Sequence, residues 1–414
     1  MCFKPIEYIS HMHRFLINIL LLIGMLFALS ACGGSDEPAP PDPPDPPIPQ
    51  IPHRTVLVYM LADNNLGTIN GFDRDDLTEM KNGVQNGALN GGRLLVYYNR
   101  PFSTSGNPPQ LLEITPEGEK VLKTYSDDPD LYSVETGRMR QVLADVKSLA
   151  PAEDYGMIFW GHATAWMTHP DDMDAVPTPR SYGNDRNKWM SLSSLGKALE
   201  GEHFSFLYFD CCLMGTVEIA YELRRLTPVI AASPTEVEGE GMPYHLNIPE
   251  FFATGTPDII GAATNTYTYL SEKGLHSQMV VVDTSALDAL ADASRDIFAI
   301  LTEYPADLYS VQTLSQSFNP LDPVYRTTRP VYDMADYMRV IGAGHPDLLA
   351  AWQEAFDRCI LYKATTARDF TGIAVRTYGG LGSFIIKKAE ETTYRGYDKT
   401  SWWTDVVSTA PLFN

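Results

Sequence analysis

The chain has 414 residues, of which 44% are hydrophobic, and 52 acidic residues against 31 Lys and Arg give a formal net charge of −21 at pH 7. Nucleic-acid-binding proteins normally carry a basic face, and this sequence has no basic cluster, so its composition argues against a nucleic-acid partner. The length suffices for one large α/β domain, alone or with an extension.

Residues 1–31 have the pattern of a secretory signal peptide. A basic start at 11–14 precedes the apolar run 15–29, and small residues follow. The Leu-Ser-Ala-Cys sequence that ends at Cys32 resembles the lipobox of bacterial lipoproteins, which implies cleavage before Cys32 and acylation of its thiol. The alternative is an uncleaved membrane anchor, although the apolar run is short for a membrane span. We therefore expect an outer-membrane lipoprotein of the cell envelope, periplasmic or surface-exposed, held to the membrane by its lipid.

Residues 32–53 are predicted to form a linker. Gly-Gly-Ser-Asp-Glu is followed by a run dense in Pro and Asp, and such segments adopt extended polyproline conformations that cannot build a core. The pattern of the remaining chain predicts a main domain at 54–290. It is followed by an extension of helices and strands at 291–414.

The cysteines of the folded part are Cys211, Cys212 and Cys359. An odd number without regular spacing argues against a disulfide framework. The sequence has no C-x-x-C motif and no cluster of metal ligands at a usable spacing, so neither a metal nor a cofactor is predicted. Asp63–Asn65 and Asp171–Asp172 offer oxygen ligands for Ca²⁺, but neither has the full EF-hand spacing, and solvated turns are the favoured interpretation.

Short apolar runs alternate with amphipathic segments along the chain. Strands are predicted at 55–61, 93–98, 109–114, 120–124, 156–162, 206–212, 228–232, 277–283, 371–376 and 382–386. Helices are predicted at 136–149, 192–200, 214–226, 257–272, 286–302, 331–341 and 347–363. This alternation predicts an α/β fold in which helices cover both faces of a mostly parallel central sheet.

Two of the predicted strands stop at side chains that can react. The run 156–162 ends at His162, and the strand that begins at 206 ends at Cys212. Ligands of open α/β sheets collect at the carboxyl ends of strands, and a thiol needs a base or a positive neighbour to become a nucleophile. If the two strands lie close together, the pair predicts a cysteine hydrolase. Taken singly, either residue is more often structural, because Cys packs as a small core residue.

The segments Trp160-Gly161-His162 and Asp210-Cys211-Cys212-Leu213-Met214 resemble those of the clostripain family of cysteine peptidases, in the caspase-like clan. Similar segments occur at 59–66, 218–223, 231–234 and 239–244. The resemblance is clear over roughly residues 55–290 and thin beyond them. It implies a caspase-like fold with a C-terminal α/β extension, and an endopeptidase whose peptide or protein substrates carry Arg or Lys at P1.

The resemblance also implies roles for individual residues. Cys212 matches the nucleophile and His162 matches the base or proton donor, while the backbone N–H groups of Ala163 and Cys212 match the oxyanion hole. Asp210 matches the acidic residue of the P1 pocket, and Glu240 is a second candidate for that pocket. A buried carboxylate suits Arg because the guanidinium binds it through two parallel hydrogen bonds. The alternative for Asp210 is capping of the helix that follows.

Two departures from the family's pattern bear on activity. Ala163 replaces the usual Gly and narrows the allowed backbone geometry, because Ala avoids positive φ; loss of one oxyanion donor costs about 3 kcal/mol. Cys211 replaces the usual Ala, and since neighbouring strand residues face opposite sides, only one of the two thiols should face the site. The alternative function is therefore a weak or inactive peptidase fold that serves as a surface binding module.

The resemblance further implies self-cleavage in the loop that follows the catalytic His. Residues 167–190 contain several Pro and Gly and show no helical or strand period, and exposed loops of this kind are easily cut. The basic P1 candidates inside this loop are Arg180, Arg186 and Lys188. The alternative is an ordinary surface loop that carries three cations.

Overall fold

The computed structural model describes residues 51–126, 128, 130–167, 181–315 and 331–413. These residues belong to one compact unit that starts at residue 51. The predicted signal peptide, the lipidation site at Cys32 and the processing candidate Arg180 lie outside the described residues. Within the described ranges, every helix is too short or too polar to span a bilayer.

A nine-stranded sheet forms the centre of the molecule, and its strands occur in the order β13-β10-β9-β8-β5-β1-β2-β3-β4. The strands are β1 Arg54–Leu61, β2 Arg93–Asn99, β3 Gln110–Thr115, β4 Gly118–Thr124, β5 Asp154–Trp160, β6 Tyr182–Asp185, β7 Lys188–Met190, β8 Phe206–Asp210, β9 Val229–Ala232, β10 Gln278–Asp283, β11 Thr313–Ser315, β12 Val331–Asp333, β13 Ile360–Thr365 and β14 Gly382–Ser383. The five central strands from β9 to β2 are parallel, and the outer strands pair antiparallel on both sides.

Helices surround this sheet. They are α1 Phe72–Gly83, α2 Thr136–Leu149, α3 Leu192–Leu199, α4 Val217–Leu223, α5 Tyr244–Phe251, α6 Ile259–Glu272, α7 Leu287–Phe298, α8 Met334–Ile341, α9 Pro346–Cys359 and α10 Ser401–Asp405. Strands β6 and β7 form a separate hairpin, and β11, β12 and β14 form a small second sheet. The predicted α/β class with a mostly parallel central sheet is thereby confirmed.

Strand β1 shows why these runs are almost continuously apolar. Leu57 and Tyr59 pack into the core on one face of the sheet together with Met139 and Val142 of α2. Val58 on the other face packs with residues of α1 and α6. A parallel sheet covered on both faces needs apolar residues at successive positions, and this requirement produced the strong strand signal.

Several predicted elements differ from the structure. The helix predicted at 214–226 is only Val217–Leu223, because Leu213 and Gly215 donate main-chain hydrogen bonds to the segment 233–235 instead. Residues 331–333 and 360–365 are strands and not helix ends, since pairing with other strands overrides the helical pattern. The strand predicted at 371–376 is absent from the described structure, where an isolated bridge involves Ala374. The division of domains at residue 290 stays a prediction.

Candidate active site

The two strands that lead to His162 and Cys212 are neighbours in the sheet. Strands β5 and β8 pair in parallel, with Trp160 directly opposite Asp210 at their carboxyl ends. Each candidate residue lies two positions beyond its strand, so the chain delivers both to the same edge of the sheet. The condition on which the predicted pair depended is therefore met.

His162 and Cys212 line one cavity of about 170 Å³. Its wall also includes Leu66, Phe72, Trp160, Gly161, Asp210, Cys211 and residues 236–239 and 241. The wall contains the carboxyl groups of Asp210, Glu236 and Glu238, and its described lining residues include no Lys or Arg. The cavity is thus acidic and offers a place for a cationic group.

Cys212 is contacted by the segment that follows β9. The main-chain N–H of Val237 donates to the Cys212 sulfur at 3.3 Å. Burial, followed by the charge of Glu236 and a hydrogen bond to its side chain, raises the pKa of the Cys212 thiol well above its usual value. In this arrangement the thiol is protonated and neutral.

His162 is held from the opposite direction. Its ring nitrogen Nε2 lies 2.8 Å from the side-chain oxygen of Asn65, and its ring centroid lies 6.1 Å from that of Trp189. Burial lowers the pKa of His162 to about 4, so the imidazole is neutral at pH 7. His162 is therefore hydrogen-bonded to Asn65, and Cys212 to Val237 and Glu236, so the described contacts place the two residues at one cavity without joining them.

The two adjacent cysteines have different surroundings. The Cys211 thiol donates to the carbonyl oxygen of Phe159 at 3.3 Å, and the residue is 2% exposed within the core. Cys212 is more exposed and meets Val237. The thiols thus have different hydrogen-bond partners, although both residues border the cavity. The alternation of strand side chains does not extend to them, because β8 ends at Asp210.

The backbone at Ala163 removes the concern about positive φ. Among the described residues, positive φ angles near the site occur at Gly161 (140°), Ala165 (55°), Leu213 (66°) and Gly241 (60°), and Ala163 does not have one. Ala163 bridges Tyr182, and the flanking hydrogen bonds run through the carbonyl of His162 and the N–H of Thr164. The N–H of Ala163 therefore takes no part in these two hydrogen bonds. Ala163 is not among the residues that line the cavity.

Asp210 lies at the base of the cavity and is 8% exposed. Its Oδ1 accepts a hydrogen bond from the N–H of Met242 at 3.0 Å, and burial raises its pKa to about 7. Next to it, burial and the charge of Asp210 raise the pKa of Asp76, whose Oδ2 accepts from the indole N–H of Trp160 at 2.5 Å. Helix α4 begins after Thr216, so the helix-capping alternative for Asp210 is wrong.

The second acidic candidate, Glu240, is exposed and is not part of the cavity wall. Glu236 and Glu238 of the same loop line the cavity instead. Glu238 Oε1 accepts hydrogen bonds from the main chain and the ring of His276, at 3.1 and 2.9 Å. The Glu-x-Glu-x-Glu spacing of residues 236–240 marked this loop as acidic. The spacing alone could not show which carboxylates face the cavity, because that depends on the path of the loop.

Two of the predicted processing residues lie in the β6–β7 hairpin, which corrects the expectation of an irregular loop up to residue 190. Arg186 occupies the turn with φ of 52°, its Nε donates to Asp185 at 2.9 Å, and its guanidinium covers the ring of Tyr132. Lys188 is exposed on β7. The hairpin forms because β6 and β7 pair antiparallel, with the N–H of Ser181 bonded to the carbonyl of Met190. The N–H of Gly183 also donates to the carbonyl of His162.

The sequence profile of the clostripain family matches residues 58–401. A search of curated proteins gives no match. Among solved structures, the chain is similar to an inactive zymogen C11 protease from Parabacteroides distasonis, with 28% identity and a TM-score of 0.73 over 87% of this chain and 99% of that one.

A second similar structure is a secreted C11 cysteine protease from Bacteroides thetaiotaomicron in complex with an irreversible peptide inhibitor. It is 26% identical, with a TM-score of 0.70, over 86% of this chain and 99% of that one. These structures share the sheet and the helices around it. The extent of the family match and the fold together show that the chain belongs to the clostripain family of cysteine proteases.

Proposed function

We propose that this protein is a cysteine endopeptidase that cleaves peptides after Arg or Lys through a dyad of Cys212 and His162. The observation that carries the proposal is the meeting of the two residues in one cavity, at the ends of the adjacent parallel strands β5 and β8. The solved relative that binds an irreversible peptide inhibitor supports a peptide substrate.

The proposed chemistry follows from the residue types. His162 takes the proton of the Cys212 thiol, and the thiolate attacks the carbonyl carbon of the scissile bond. The backbone N–H groups of Ala163 and Cys212 stabilise the oxyanion. His162 then gives its proton to the leaving amine, and water hydrolyses the acyl-enzyme. For these steps Cys212 must first exchange its contacts with Glu236 and Val237 for one with His162.

The acidic wall of the cavity supports a basic P1 side chain. Asp210 is buried at its base, and Glu236 and Glu238 line it as well. An Arg side chain would form charge-assisted hydrogen bonds with Asp210. Glu240 lies on the same loop but outside the cavity wall, so this proposal gives it no contact with the P1 side chain.

The arrangement of the thiol supports a resting state before activation. One relative of known structure is described as an inactive zymogen, and we propose self-cleavage within 167–190 as the activating step. We also propose that Cys32 carries a lipid that tethers the enzyme to the outer membrane; a relative is described as secreted. The alternative function, a binding module without catalysis, is favoured by the separate bonding of His162 and Cys212.

The test uses fluorogenic amides with Arg or Ala at P1. Wild type is assayed before and after limited trypsin treatment, with the trypsin then inhibited, beside Cys212→Ala and the matched variant Cys211→Ala. We expect the Arg amide to be cleaved by wild type and Cys211→Ala and not by Cys212→Ala. If all three proteins show the same background rate under both conditions, the chain is a binding module.

A further inference from the structure

The turn Asp63-Asn64-Asn65, which follows β1, is fixed by its first residue. Asp63 is 6% exposed, and its carboxylate accepts hydrogen bonds from the N–H of Phe102 at 2.7 Å and from the N–H and hydroxyl of Ser103 at 3.1 and 2.7 Å. Its carbonyl accepts from the N–H of Arg186 in the β6–β7 hairpin. Asp63 therefore joins three chain segments.

Asn64 fixes the same turn from the other side. Its side-chain NH₂ donates to the carbonyls of Leu61 and Asn184, at 2.8 and 2.7 Å. Its side-chain oxygen accepts from the N–H of Leu66 at 3.0 Å, and its carbonyl accepts from both donors of Thr68. The side chains of Asp63 and Asn64 thus hold the turn through contacts with the backbone and Ser103, which gives the turn a structural role. The expectation of a solvated turn is wrong at these two residues, because both are buried.

Asn65 is the residue of this turn that contacts His162, a residue of the cavity wall. Its Oδ1 lies 2.8 Å from Nε2 of His162, and the next residue, Leu66, lines the cavity wall. His162 is itself held by the hairpin, because its carbonyl accepts from the N–H of Gly183 at 2.8 Å and its ring packs near Trp189. The contact with Asn65 thus joins two rigid segments and selects the rotation of the imidazole.

An amide oxygen only accepts hydrogen bonds, so a ring nitrogen that faces it must carry the proton. Burial keeps His162 neutral, and a neutral imidazole has one N–H and one lone pair. We propose that Asn65 is the positioning residue of the dyad: it holds the Nε2–H tautomer of His162 and leaves Nδ1 to exchange protons with Cys212. The catalytic part of this inference rests on the function proposed above.

The tautomer can be measured without any catalysis. Histidine labelled with ¹⁵N gives separate signals for protonated and bare ring nitrogens, and His162→Gln identifies the signals of His162. We expect Nε2 protonated and Nδ1 bare in wild type, and averaged signals in Asn65→Ala. The control Asn70→Ala, at the exposed end of the short helical segment Leu66–Asn70 that follows the turn, should match wild type. Protonated Nδ1 in wild type, or an Asn65→Ala spectrum identical to wild type, would overturn the proposal.

Kinetics supply the second readout. Asn65→Ala should lower kcat about ten- to a hundredfold with little change in KM, since misplacement of a base by about 1 Å has effects of this size. Asn65→Asp keeps the acceptor and adds a charge, so it should restore much of kcat and move the acid limb of kcat/KM to higher pH. The titratable and charged groups around His162 and the segments that hold it are unchanged in both variants; they are Asp210, Cys212, Glu236, Glu238, Arg186 and Lys188.

A change in KM alone, or an acid limb that stays in place in Asn65→Asp, would contradict a positioning role. If wild type itself cleaves no peptide, the proposed function fails, and the ¹⁵N spectra still decide whether Asn65 sets the tautomer. The two failures are therefore distinguishable.

Discussion

The main-chain N–H of Val237 donates a hydrogen bond to the sulfur of Cys212 at 3.3 Å. The residue before it, Glu236, adds a carboxylate to the thiol's surroundings, and the residue after it, Glu238, is bound by the main chain and ring of His276. Residues 236–238 therefore form a segment that is anchored on one side and covers the proposed nucleophile. Burial, together with the Glu236 carboxylate, keeps the thiol in its neutral form, whereas the N–H of Val237 lowers the thiol pKa and so favours the thiolate.

Glu236→Gln should make Cys212 more reactive. Removal of the negative charge lowers the thiol pKa, and at a pH below that pKa each unit of lowering increases the thiolate fraction about tenfold. The measurement is the rate of alkylation of the Cys212 peptide by iodoacetamide at pH 7.5, followed by mass spectrometry. Glu240→Gln, on the same loop but outside the cavity wall, is the control and should alkylate at the wild-type rate. Equal rates in all three proteins would show that Glu236 does not restrain the thiol.

Asp210 should make the preference for Arg depend on pH. Its pKa in the unliganded protein is about 7, and only the ionised carboxylate attracts a cation, so the preference should be lost as pH falls below 7 and should level off above it. The ratio of kcat/KM for Arg to that for the uncharged analogue citrulline isolates this effect, because the titration of the dyad cancels.

In Asp210→Asn this ratio should fall about a hundred- to a thousandfold at pH 8 and become independent of pH, because loss of a buried ion-pair partner typically costs about 3–5 kcal/mol. Glu240→Gln again serves as the control. A ratio that persists in Asp210→Asn would assign P1 recognition to Glu236 or Glu238.

Glu218 should make the protein less stable as pH rises from 5 to 8. It is fully buried on α4, where its Oε1 accepts hydrogen bonds from the N–H of Phe384 and the hydroxyl of Ser383, and burial raises its pKa from 4.5 to about 7. Between these values the folded state binds more protons than the unfolded state, so the free energy of unfolding falls with increasing pH, by about 3 kcal/mol at most.

Urea unfolding at pH 5 and pH 8 measures this difference. Glu218→Gln should reduce it, leaving the contribution of Asp210, whose pKa is raised in the same direction. The exposed Glu272→Gln on α6 should leave it unchanged. An undiminished difference in Glu218→Gln would mean that Glu218 is ionised in the folded protein.

Self-processing should depend on Cys212 and should spare the hairpin. Arg186 is held in a tight turn by Asp185 and Tyr132, and a residue so fixed cannot enter an active site as an extended P1. Mass spectrometry of purified wild type should therefore show a cut after Arg180, which is absent in Cys212→Ala. Arg180→Ala should abolish the cut and Arg186→Ala should preserve it. A cut present in Cys212→Ala would point to another protease.

The parts of the molecule that were predictable are those whose pattern reflects burial. The apolar runs that end at His162 and Cys212 are parallel strands covered on both faces, so both were recognisable and both led to the same edge. Elements whose structure depends on pairing with residues distant in the chain could not be predicted. Residues 360–365 continue a helical pattern, and only pairing with β10 makes them a strand.

The same limit applies within the site. The Asp-Asn-Asn turn was visible as a motif, but its use depended on Phe102, Ser103 and His162, which lie 39 to 97 positions away. Glu236 and Glu238 line the cavity and Glu240 does not, and the contact that holds Glu238 comes from His276, 38 positions away. Contacts between residues so far apart in the chain cannot be predicted from a local sequence pattern.

The central claim is that Cys212 is a nucleophile activated by His162 in a pocket for basic P1 side chains. A thiol-directed affinity label with Arg at P1, and a matched label with Glu at P1, are incubated with the protein, and the modified residue is located by peptide mass spectrometry. The account predicts that the Arg label attaches to Cys212, that the Glu label does not, and that attachment is lost in Cys212→Ala and strongly slowed in His162→Ala. Attachment to Cys211, or equal attachment of both labels, would contradict it.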